Sequence, residues 1–318
     1  MLNCKILMND ELNRRSFFKR FGLVAAMFGL GGKAVAQEAK PEAAQPVDKK
    51  RPPKDDEVKL TFIGTSHGRV TTTRAHSCTL LQTGGKNYVI DAGEGAVANI
   101  MKSGTHISDL NAIFITHPHL DHYGGLYGLQ QQISSFRKIF KEGDPHLKAT
   151  YDILLPSEDL LKIMKDIKTA HHHGVYPKWH HFQVFKEGQI FDDGNIKVTA
   201  YGNNHMSRLP DGTPVAFSFL FECANGKRIF FSGDLHKSFD LPLEGIQKNG
   251  VDLLVCELVH YPIKLAVERL KDLPVKKLCF QHHGDSWETK GWEERFDKFS
   301  KQLTMPSEIM TDGDVRFI

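Results

Sequence analysis

The chain has 318 residues, of which 40% are apolar, so it can bury a sizeable core in one large domain or two small ones. Its formal net charge is only +3 and its charged residues are interspersed, which gives no reason to expect a nucleic acid or a membrane surface as partner. The histidines are more informative, because ten of the 17 cluster at 117–122, 171–173, 180–181 and 282–283. Such clusters are typical of metal binding.

Residues 1–36 have the pattern of an export signal. Arg14 and Arg15 precede a moderately apolar segment too short to span a bilayer, and a cleavage site of the A-x-A type ends at Ala36. The arginine pair and the Phe-Phe-Lys after it resemble the twin-arginine signal, whose machinery exports folded proteins. We therefore predict a periplasmic protein that uses the twin-arginine export machinery and whose mature form is not embedded in the membrane. A membrane anchor or an amphipathic helix is the alternative for this segment.

The cysteines beyond the signal show no C-x-x-C spacing, which argues against a thiolate zinc site or a redox pair. Each lies in or beside an apolar run that predicts a strand. We expect buried thiols, with one disulfide in an oxidising compartment as the alternative. These residues are Cys78, Cys223, Cys256 and Cys279.

Residues 58–318 are interpreted as one domain, joined to the signal by a disordered tether over 37–57 that is rich in Ala, Pro, Lys, Glu and Asp. Within the domain, short apolar runs alternate with turns and helical segments. In chain order they predict strands 59–66, 77–83 and 86–93, helix 95–102, strand 112–117, helix 120–140, strand 151–157, helix 158–170, strand 195–205, a hairpin over 217–234, strand 252–260, helix 262–272, strand 276–283, helix 292–303 and a final strand pair. Two groups of strands with helices outside predict an α/β fold, a four-layered αββα sandwich.

Residues 115–125, with the sequence ITHPHLDHYGG, carry four metal-capable side chains directly after an apolar strand. Strand ends are where sites form in layered α/β folds. His117 and His119 can converge on one ion, while Asp121 and His122 turn toward a second. Neutral imidazoles and a carboxylate suit zinc, iron or manganese better than magnesium or calcium. The alternative, that these residues cap the next helix, would need only one of them.

This motif resembles the H-x-H-x-D-H signature of the metallo-β-lactamase superfamily, and the resemblance implies that fold with two divalent metal ions. Zinc is the expected metal, with iron or manganese as alternatives. By the same resemblance the ligands would be His117, His119 and His205 at one metal, Asp121, His122 and His282 at the other, and Asp234 as the bridge. The end of the strand cannot be assigned to a single residue from the pattern, so His283 is the alternative to His282.

Further segments resemble one particular branch of this superfamily. FIGTSHGR at 62–69, Arg74 with Ser77, and DAGEGA at 91–96 resemble the branch that contains ribonuclease Z, bacterial arylsulfatases and class II cyclic-nucleotide phosphodiesterases. Residues 256–259 read CELV where ribonuclease Z usually has His-Glu-Ala-Thr, so its catalytic histidine is missing. The sequence also shows no glycine- and proline-rich arm of the kind that grips transfer RNA. We therefore expect neither tRNA processing nor a stable nucleic-acid complex.

The resemblance implies a hydrolase in which a hydroxide between the two metals attacks an ester. A small anionic phosphodiester or sulfate ester fits such a centre, so we predict a phosphodiesterase or an arylsulfatase, with cyclic nucleotides and aryl sulfates as candidate substrates. A departing alkoxide needs a proton. Besides Asp121 at the metals, the preferred catalytic residues are therefore His260 and His236 as proton donors.

A function of a different class is also open, a non-catalytic metal-binding or scaffolding protein on the same fold. The full set of ligands argues against it, because loss of catalysis normally relaxes one of them. Hydrolysis of a lactam or a thioester ranks lower, since NNHMSR at 203–208 does not match the third-ligand segment of glyoxalase II. A monomer and a homodimer are both compatible with the sequence.

Two features have both a functional and a structural interpretation. The segment 171–173 with Trp179, His180 and His181 is either a lid over the metals or a helix C-terminus followed by a loop. Asp91 has two compatible roles open to it, because it can support a ligand histidine and also cap the turn into the next helix.

Overall fold

The computed structural model describes residues 48–147, 150–170 and 179–318, so the predicted signal and most of the predicted tether lie outside the described residues. None of the helices in these ranges combines the length and the apolarity that a bilayer span requires. The strands are β1 Lys59–Gly64, β2 Cys78–Thr83, β3 Lys86–Ile90, β4 Leu110–Phe114, β5 Tyr151–Leu155, β6 His180–Val184, β7 Gly188–Asp192, β8 Ile196–Gly202, β9 Phe217–Cys223, β10 Arg228–Phe231, β11 Leu253–Leu258, β12 Leu278–His283, β13 Ser307–Ile309 and β14 Val315–Phe317. The α-helices are α1 Ala96–Lys102, α2 Leu120–Tyr123, α3 Leu126–Ile139, α4 Glu158–Ala170, α5 Glu244–Gln247, α6 Ile263–Leu270 and α7 Trp292–Ser300.

The strands form two sheets with related topologies. The first has the order β14-β1-β2-β3-β4-β5-β6 and the second the order β13-β12-β11-β10-β9-β8-β7. In the first sheet β3, β4, β5 and β6 pair in parallel, and in the second β10, β11, β12 and β13 do so. The remaining pairs are antiparallel. In both sheets the parallel strands need crossover connections, which carry the helices to the outer faces.

Three apolar clusters show the order of the layers. The central cluster joins the inner faces of both sheets, for example through Phe62 and Phe114 of the first and Phe219 and Phe231 of the second. A second cluster packs α1, α3 and α4 on the outer face of the first sheet, and a third packs α6 and α7 on the second sheet. Strand β11, with the sequence LLVCEL, is therefore buried on both faces, which explains its nearly continuous apolar run. The predicted four-layered αββα sandwich is confirmed.

The region predicted as one helix over 120–140 consists of two helices, α2 and α3, separated by Gly124 and Gly125. A β-carbon on Gly125 would overlap the backbone carbonyl oxygen of Gly93, in the loop after β3. The chain therefore approaches another backbone segment closely at this point, which only glycine permits. The break lets α2 hold the motif residues while α3 runs back along the sheet.

Strands β6 and β7 were not predicted. Both lie at the edge of their sheets, and most of their residues are only partly buried or exposed. Their sequences, HHFQV and GQIFD, lack a regular apolar alternation. A single sequence therefore offers little signal for them, since edge strands need not bury either face fully.

The described part of the predicted tether packs on the domain. Arg51 forms an ion pair with Glu57 at 2.6 Å, and its guanidinium lies 3.6 Å above the ring centroid of Phe317 in β14. The carbonyl oxygen of Glu57 accepts a hydrogen bond from the Thr83 hydroxyl at 3.3 Å. The ordered chain thus begins before β1.

The four cysteines beyond the signal are buried free thiols, as expected. Burial raises the pKa of Cys223, Cys256 and Cys279 to about 12, so these thiols stay protonated at neutral pH and are poor nucleophiles.

Candidate metal centre

Four strand ends from the two sheets bring the predicted ligands together. β8 and β10 are both antiparallel to β9, so they run in the same direction as β11 and β12. The C-terminal ends of these strands therefore lie at one edge of the second sheet. His205 follows β8, Asp234 follows β10 and His282 lies at the end of β12, while the motif residues follow β4 of the first sheet.

The first group consists of three imidazoles around Asp234. His119 Nδ1 lies 2.9 Å from His117 Nε2 and 3.1 Å from His205 Nε2. His117 Nε2 and His205 Nε2 each lie 3.6 Å from Asp234 Oδ2. Donor atoms at about 2.0–2.1 Å from a shared zinc ion would be roughly 3.3 Å apart in a tetrahedron. The observed spacing is close to this value.

The second group shares the same carboxylate oxygen. Asp121 Oδ2 lies 3.5 Å from His122 Nε2 and 3.1 Å from His282 Nε2. Asp234 Oδ2 lies 3.4 Å from His122 Nε2 and 3.5 Å from His282 Nε2. Asp234 is thus in reach of both groups, as its predicted bridging position requires.

The chemistry of this cluster fits metal ions. Asp234 Oδ1 and His122 Nε2 are buried and have no hydrogen-bond partner among the described residues. Buried polar atoms ordinarily have a partner, so these two atoms need one that the protein chain does not supply. Nitrogen donors with two carboxylates suit zinc, iron or manganese. All seven predicted ligands fall into the groups of metal-capable atoms found in the described part of the chain.

Burial and neighbouring charges set the protonation states of the cluster. Burial lowers the pKa of His117, His119 and His205, which keeps these imidazoles neutral and able to bind a cation. Burial acts against the charged form of Asp234 too, but the neighbouring imidazoles, His282 and His122 foremost, outweigh it and hold the pKa of Asp234 well below its usual range. The first group therefore holds neutral nitrogens beside an ionised carboxylate, whereas in the second group Asp234 and Asp91 outweigh burial and raise the pKa of His122 well above its ordinary value.

Hydrogen bonds orient the imidazoles toward the cluster. His122 Nδ1 donates to Asp91 Oδ2 at 2.7 Å, and Asp91 Oδ1 accepts the backbone N–H of Thr116 at 2.8 Å. The Thr116 hydroxyl, which donates to Asp91, lies 3.1 Å from His117 Nδ1. His205 Nδ1 donates to a backbone oxygen at 3.2 Å. In each case the other ring nitrogen is left to face the cluster.

Asp91 thus supports a candidate ligand and does not cap α1, whose N-cap is Gly95 and has no side-chain cap. The backbone of Asp91 has a positive φ of 58°. Such a conformation is uncommon outside glycine, although aspartate tolerates it better than most residues. Strained backbone of this kind concentrates at functional sites.

A β-bulge separates His282 from His283. Glu257 of β11 pairs with Gln281 and Leu258 pairs with His283, so His282 is the extra residue in β12, and its φ is 49°. His282 therefore turns into the cluster. His283 instead has its Nε2 3.1 Å from the carbonyl oxygen of Met310, and burial lowers its pKa to about 4. The geometry favours His282 as the last ligand.

His260 lies over the cluster beyond the end of β11. Its Nδ1 donates to Glu257 Oε1 at 3.1 Å and lies 3.8 Å from Asp234 Oδ2, and one third of its side chain is exposed. Its ring is 4.7 Å from that of His205. Burial lowers the pKa of His260, but the hydrogen bond and the charge of Glu257 outweigh burial and raise it overall. This histidine is placed to hold a proton beside the cluster.

His236 is oriented differently. Its Nδ1 lies 2.8 Å from the Ser238 hydroxyl, and its backbone N–H donates to Asp240 at 2.7 Å. The imidazole makes no hydrogen bond, ion pair or ring contact with any of the seven predicted ligands, all of which are described. As a proton donor, His260 is therefore the stronger candidate.

Two arginines in the segments that carry the resemblance lie in different environments. Arg74 is buried, pairs with Glu288 and donates to the carbonyl oxygen of Thr65, so it is held by the fold. Arg69 is exposed and forms an ion pair with Asp285 at 3.0 Å. Residues 171–178, which include the histidine run of the predicted lid, lie outside the described residues.

Three supporting residues were missed at the sequence level. Glu257 is buried and accepts backbone N–H groups of Leu235 and His260 as well as the His260 ring. Asn203 donates to the carbonyl oxygen of Asp234 at 3.0 Å. Asp240 accepts the backbone N–H of Asn204, the residue before His205. The sequence shows only that polar residues stand close to the predicted ligands along the chain. Their partners could not be predicted, because several of these hydrogen bonds join loops that are distant in sequence.

Comparisons with known proteins agree with this geometry. A profile of the family described as "Anti-Pycsar protein Apyc1" matches residues 58–305. Ribonuclease Z of Nitrosopumilus maritimus (strain SCM1) is 30% identical over 244 residues, which cover 76% of this chain and 74% of that protein. The predicted relationship to ribonuclease Z within the metallo-β-lactamase superfamily is confirmed.

Two solved structures share the fold. The metallo-β-lactamase fold protein YhfI from Bacillus subtilis superposes with a TM-score of 0.64 at 17% identity, covering 82% of this chain and 100% of that chain. The short form of human tRNase Z has a TM-score of 0.59 at 20% identity, covering 81% of this chain and 98% of that chain. At such identities these similarities show the fold alone.

Proposed function

We propose, on the premise that this chain belongs to the Anti-Pycsar protein Apyc1 family, that it is a dinuclear metal-dependent phosphodiesterase that acts on small substrates. The observation that carries the proposal is the position of Asp234, whose Oδ2 lies 3.4–3.6 Å from nitrogens of both groups of candidate ligands. A single carboxylate oxygen in reach of two donor groups suits two ions that share a ligand.

Two divalent ions bound here would lower the pKa of a shared water and neutralise charge that develops on a phosphodiester. The residues of the chain supply the rest. Asp91 fixes the orientation of His122, and Asn203 holds the backbone of Asp234. The candidate ligands therefore need little rearrangement when the centre is loaded, which favours catalysis through preorganised charge.

His260 supplies the proton for the leaving oxygen. Its Nδ1 is occupied by Glu257, and its Nε2 has no hydrogen-bond partner in the described ranges, so Nε2 is the atom that faces a substrate. The raised pKa keeps a proton on this ring at neutral pH more often than on an ordinary histidine. A ribose hydroxyl is a poor leaving group and gains most from such a donor.

Phosphodiesters are preferred to sulfate esters as substrates. Support comes from the relative of Nitrosopumilus maritimus, which is a ribonuclease by name and is 30% identical over 244 residues. The open side of the cluster carries the exposed His119 and Leu120, whose side chain is two-thirds exposed. An exposed leucine beside the metal cluster offers an apolar contact to a substrate with an aromatic base, so cyclic nucleotides are the first class to test.

The test is a hydrolysis screen of the metal-loaded protein against cyclic nucleotides, bis(p-nitrophenyl) phosphate, p-nitrophenyl phosphate, p-nitrophenyl sulfate and a lactam. We expect turnover of the two phosphodiester classes and about two divalent ions per chain. Asp234→Asn should reduce both metal content and turnover. Two bound ions without turnover of any substrate would favour the non-catalytic metal-binding alternative, and turnover of the sulfate alone would contradict the proposed substrate class.

We also propose that the protein is exported to the periplasm by the twin-arginine machinery. Support comes from the pattern of residues 1–36, which places Arg14 and Arg15 before an apolar segment and an A-x-A site. Changing both arginines to lysine should leave precursor in the cytoplasm, as seen by fractionation and mass spectrometry of the N-terminus. Mature protein in the periplasm after that change would contradict the proposal.

A further inference from the structure

A cavity of about 360 Å³ lies on the outer face of the first sheet, next to β1 and β14. Helix α1 lines it with Asn99 and Lys102, and the segment before β1 lines it with Lys49 and Lys50. None of the predicted metal ligands lines this cavity. Its volume falls within the range of pockets that bind small molecules. The lining residues that matter here are Lys49, Lys50, Thr61, Ile63, Lys102 and Val315.

Thr61 gives the first indication of a ligand. The residue is only 2% exposed, it lines the cavity, and its hydroxyl oxygen has no hydrogen-bond partner among the described residues. Buried hydroxyl groups nearly always have a partner. Leu60 and Phe62, its neighbours in β1, point into the central core, so Thr61 points to the outer face where the cavity lies.

The charges around the cavity give a second, independent indication. Lys49, Lys50 and Lys102 line it from two separate segments. The lining carboxylate, Asp312, is already engaged, because it accepts the N–H and the hydroxyl of Thr65 and the N–H of Ala75 at 2.7–2.9 Å. The cavity therefore has an excess of positive charge.

The individual lysines differ in how far they are engaged. Lys49 lies 3.5 Å from Asp314, and Lys102 donates to the neutral side chain of Asn99 at 3.3 Å. For the Lys50 ammonium, no ion pair or side-chain hydrogen bond is found within the described ranges. Lys50 and Lys102 are thus available to an anion, while Ile63 and Val315 provide apolar contacts beside them.

We propose that this cavity binds a small organic anion, a carboxylate or phosphate monoester carried on an apolar body. The anionic group would lie between the ammonium groups of Lys50 and Lys102, and the apolar body would lie on Ile63 and Val315. Lysines bind both kinds of anion as point charges, so the two sources share one recognition chemistry. This site is separate from the metal centre and does not depend on the proposed activity.

The experiment is isothermal titration calorimetry of the metal-loaded protein with octanoate, hexyl phosphate, inorganic phosphate and hexanol. We expect octanoate or hexyl phosphate to bind at one cavity site, with hexanol and inorganic phosphate at least tenfold weaker. The relative affinity of the two anions tells which head group is preferred. Failure of both to bind, or equal binding of hexanol, would overturn the proposal.

Matched variants separate this site from the metal centre, which also attracts anions. The double variant Lys50→Gln/Lys102→Gln should lose at least tenfold in affinity, and Lys50→Arg/Lys102→Arg should keep most of it. Lys248→Gln removes an exposed lysine outside the cavity and should have no effect. Unchanged affinity in the double glutamine variant would assign the bound anion to the metals and refute the cavity site.

Thr61→Val provides a test that does not rely on charge. Valine keeps the shape of the side chain but removes the unpartnered hydroxyl, so the midpoint of thermal unfolding without ligand should not fall. Affinity for the preferred anion should fall several-fold if the hydroxyl contacts the ligand. A lower unfolding midpoint together with unchanged affinity would show that the hydroxyl has a structural partner instead.

Discussion

Replacing His260 by alanine removes an imidazole that lies beside the cluster but is not one of the seven predicted ligands. General acid catalysis typically contributes about 10²–10⁴ in rate. One third of the His260 side chain is exposed, so water can take over part of its role, and we expect a loss near the lower end of that range. For a cyclic nucleotide this is about a hundredfold in kcat, or about 2.7 kcal/mol in activation free energy.

The assay compares kcat for a cyclic nucleotide and for bis(p-nitrophenyl) phosphate on the same metal-loaded preparations. Nitrophenolate leaves without protonation, so for that substrate the loss should be below about threefold. His236→Ala is the matched comparison, and its loss should be small on both substrates because its imidazole bonds Ser238 rather than the cluster. Equal losses on both substrates for His260→Ala, or a change in metal content, would refute its role as proton donor.

The pH profile gives a second measure of the same group. Glu257 raises the pKa of His260 above its ordinary value near 6.5. The protonated form is complete below that raised pKa and is lost as the pH rises through it. Turnover of the cyclic nucleotide should therefore fall as pH rises through a value above 6.5, and this decline should be absent in His260→Ala. A profile that is identical in the two proteins would contradict the assignment.

The remaining predictions concern metal binding and folding. Asp91→Asn should lower the affinity for the second metal ion about 10–100-fold, as measured by chelator titration followed by metal analysis. The fold should be retained, because asparagine tolerates positive φ. Unchanged affinity would contradict the inference that Asp91 supports His122. Metal affinity should fall as pH falls. Asp234 and Asp91 outweigh burial and raise the pKa of His122 well above its ordinary value, so a proton on this ring competes with the metal. A pH-independent affinity would argue against His122 as a ligand. Gly125→Ala should lower the midpoint of thermal unfolding sharply. The matched variant is Gly128→Ala, whose β-carbon would meet nothing closer than 4.0 Å, and it should be neutral or stabilise α3 by about 0.5–1 kcal/mol. Equal effects of the two substitutions would refute the close approach at Gly125.

Much of the fold and the chemical nature of the site follows from the sequence alone. Strand β11 is buried on both faces, and its nearly continuous apolar run, LLVCEL, is a local record of this burial. The motif at 117–122 concentrates four donors in one loop and one helical turn, so its metal chemistry needs no knowledge of distant residues. The remaining donors also follow predicted strand ends, but their assignment as ligands came from the resemblance to the metallo-β-lactamase superfamily.

Only the tertiary structure distinguishes neighbouring candidates. His282 turns into the cluster because the pairing of β11 with β12 leaves it in a bulge, and no local pattern records that register. The preference for His260 over His236 depends on Glu257, and the role of Asp91 depends on its contact with His122 from another loop. The positive φ values of Asp91 and His282 are conformations that the chain would not adopt by local preference and that the surrounding packing imposes.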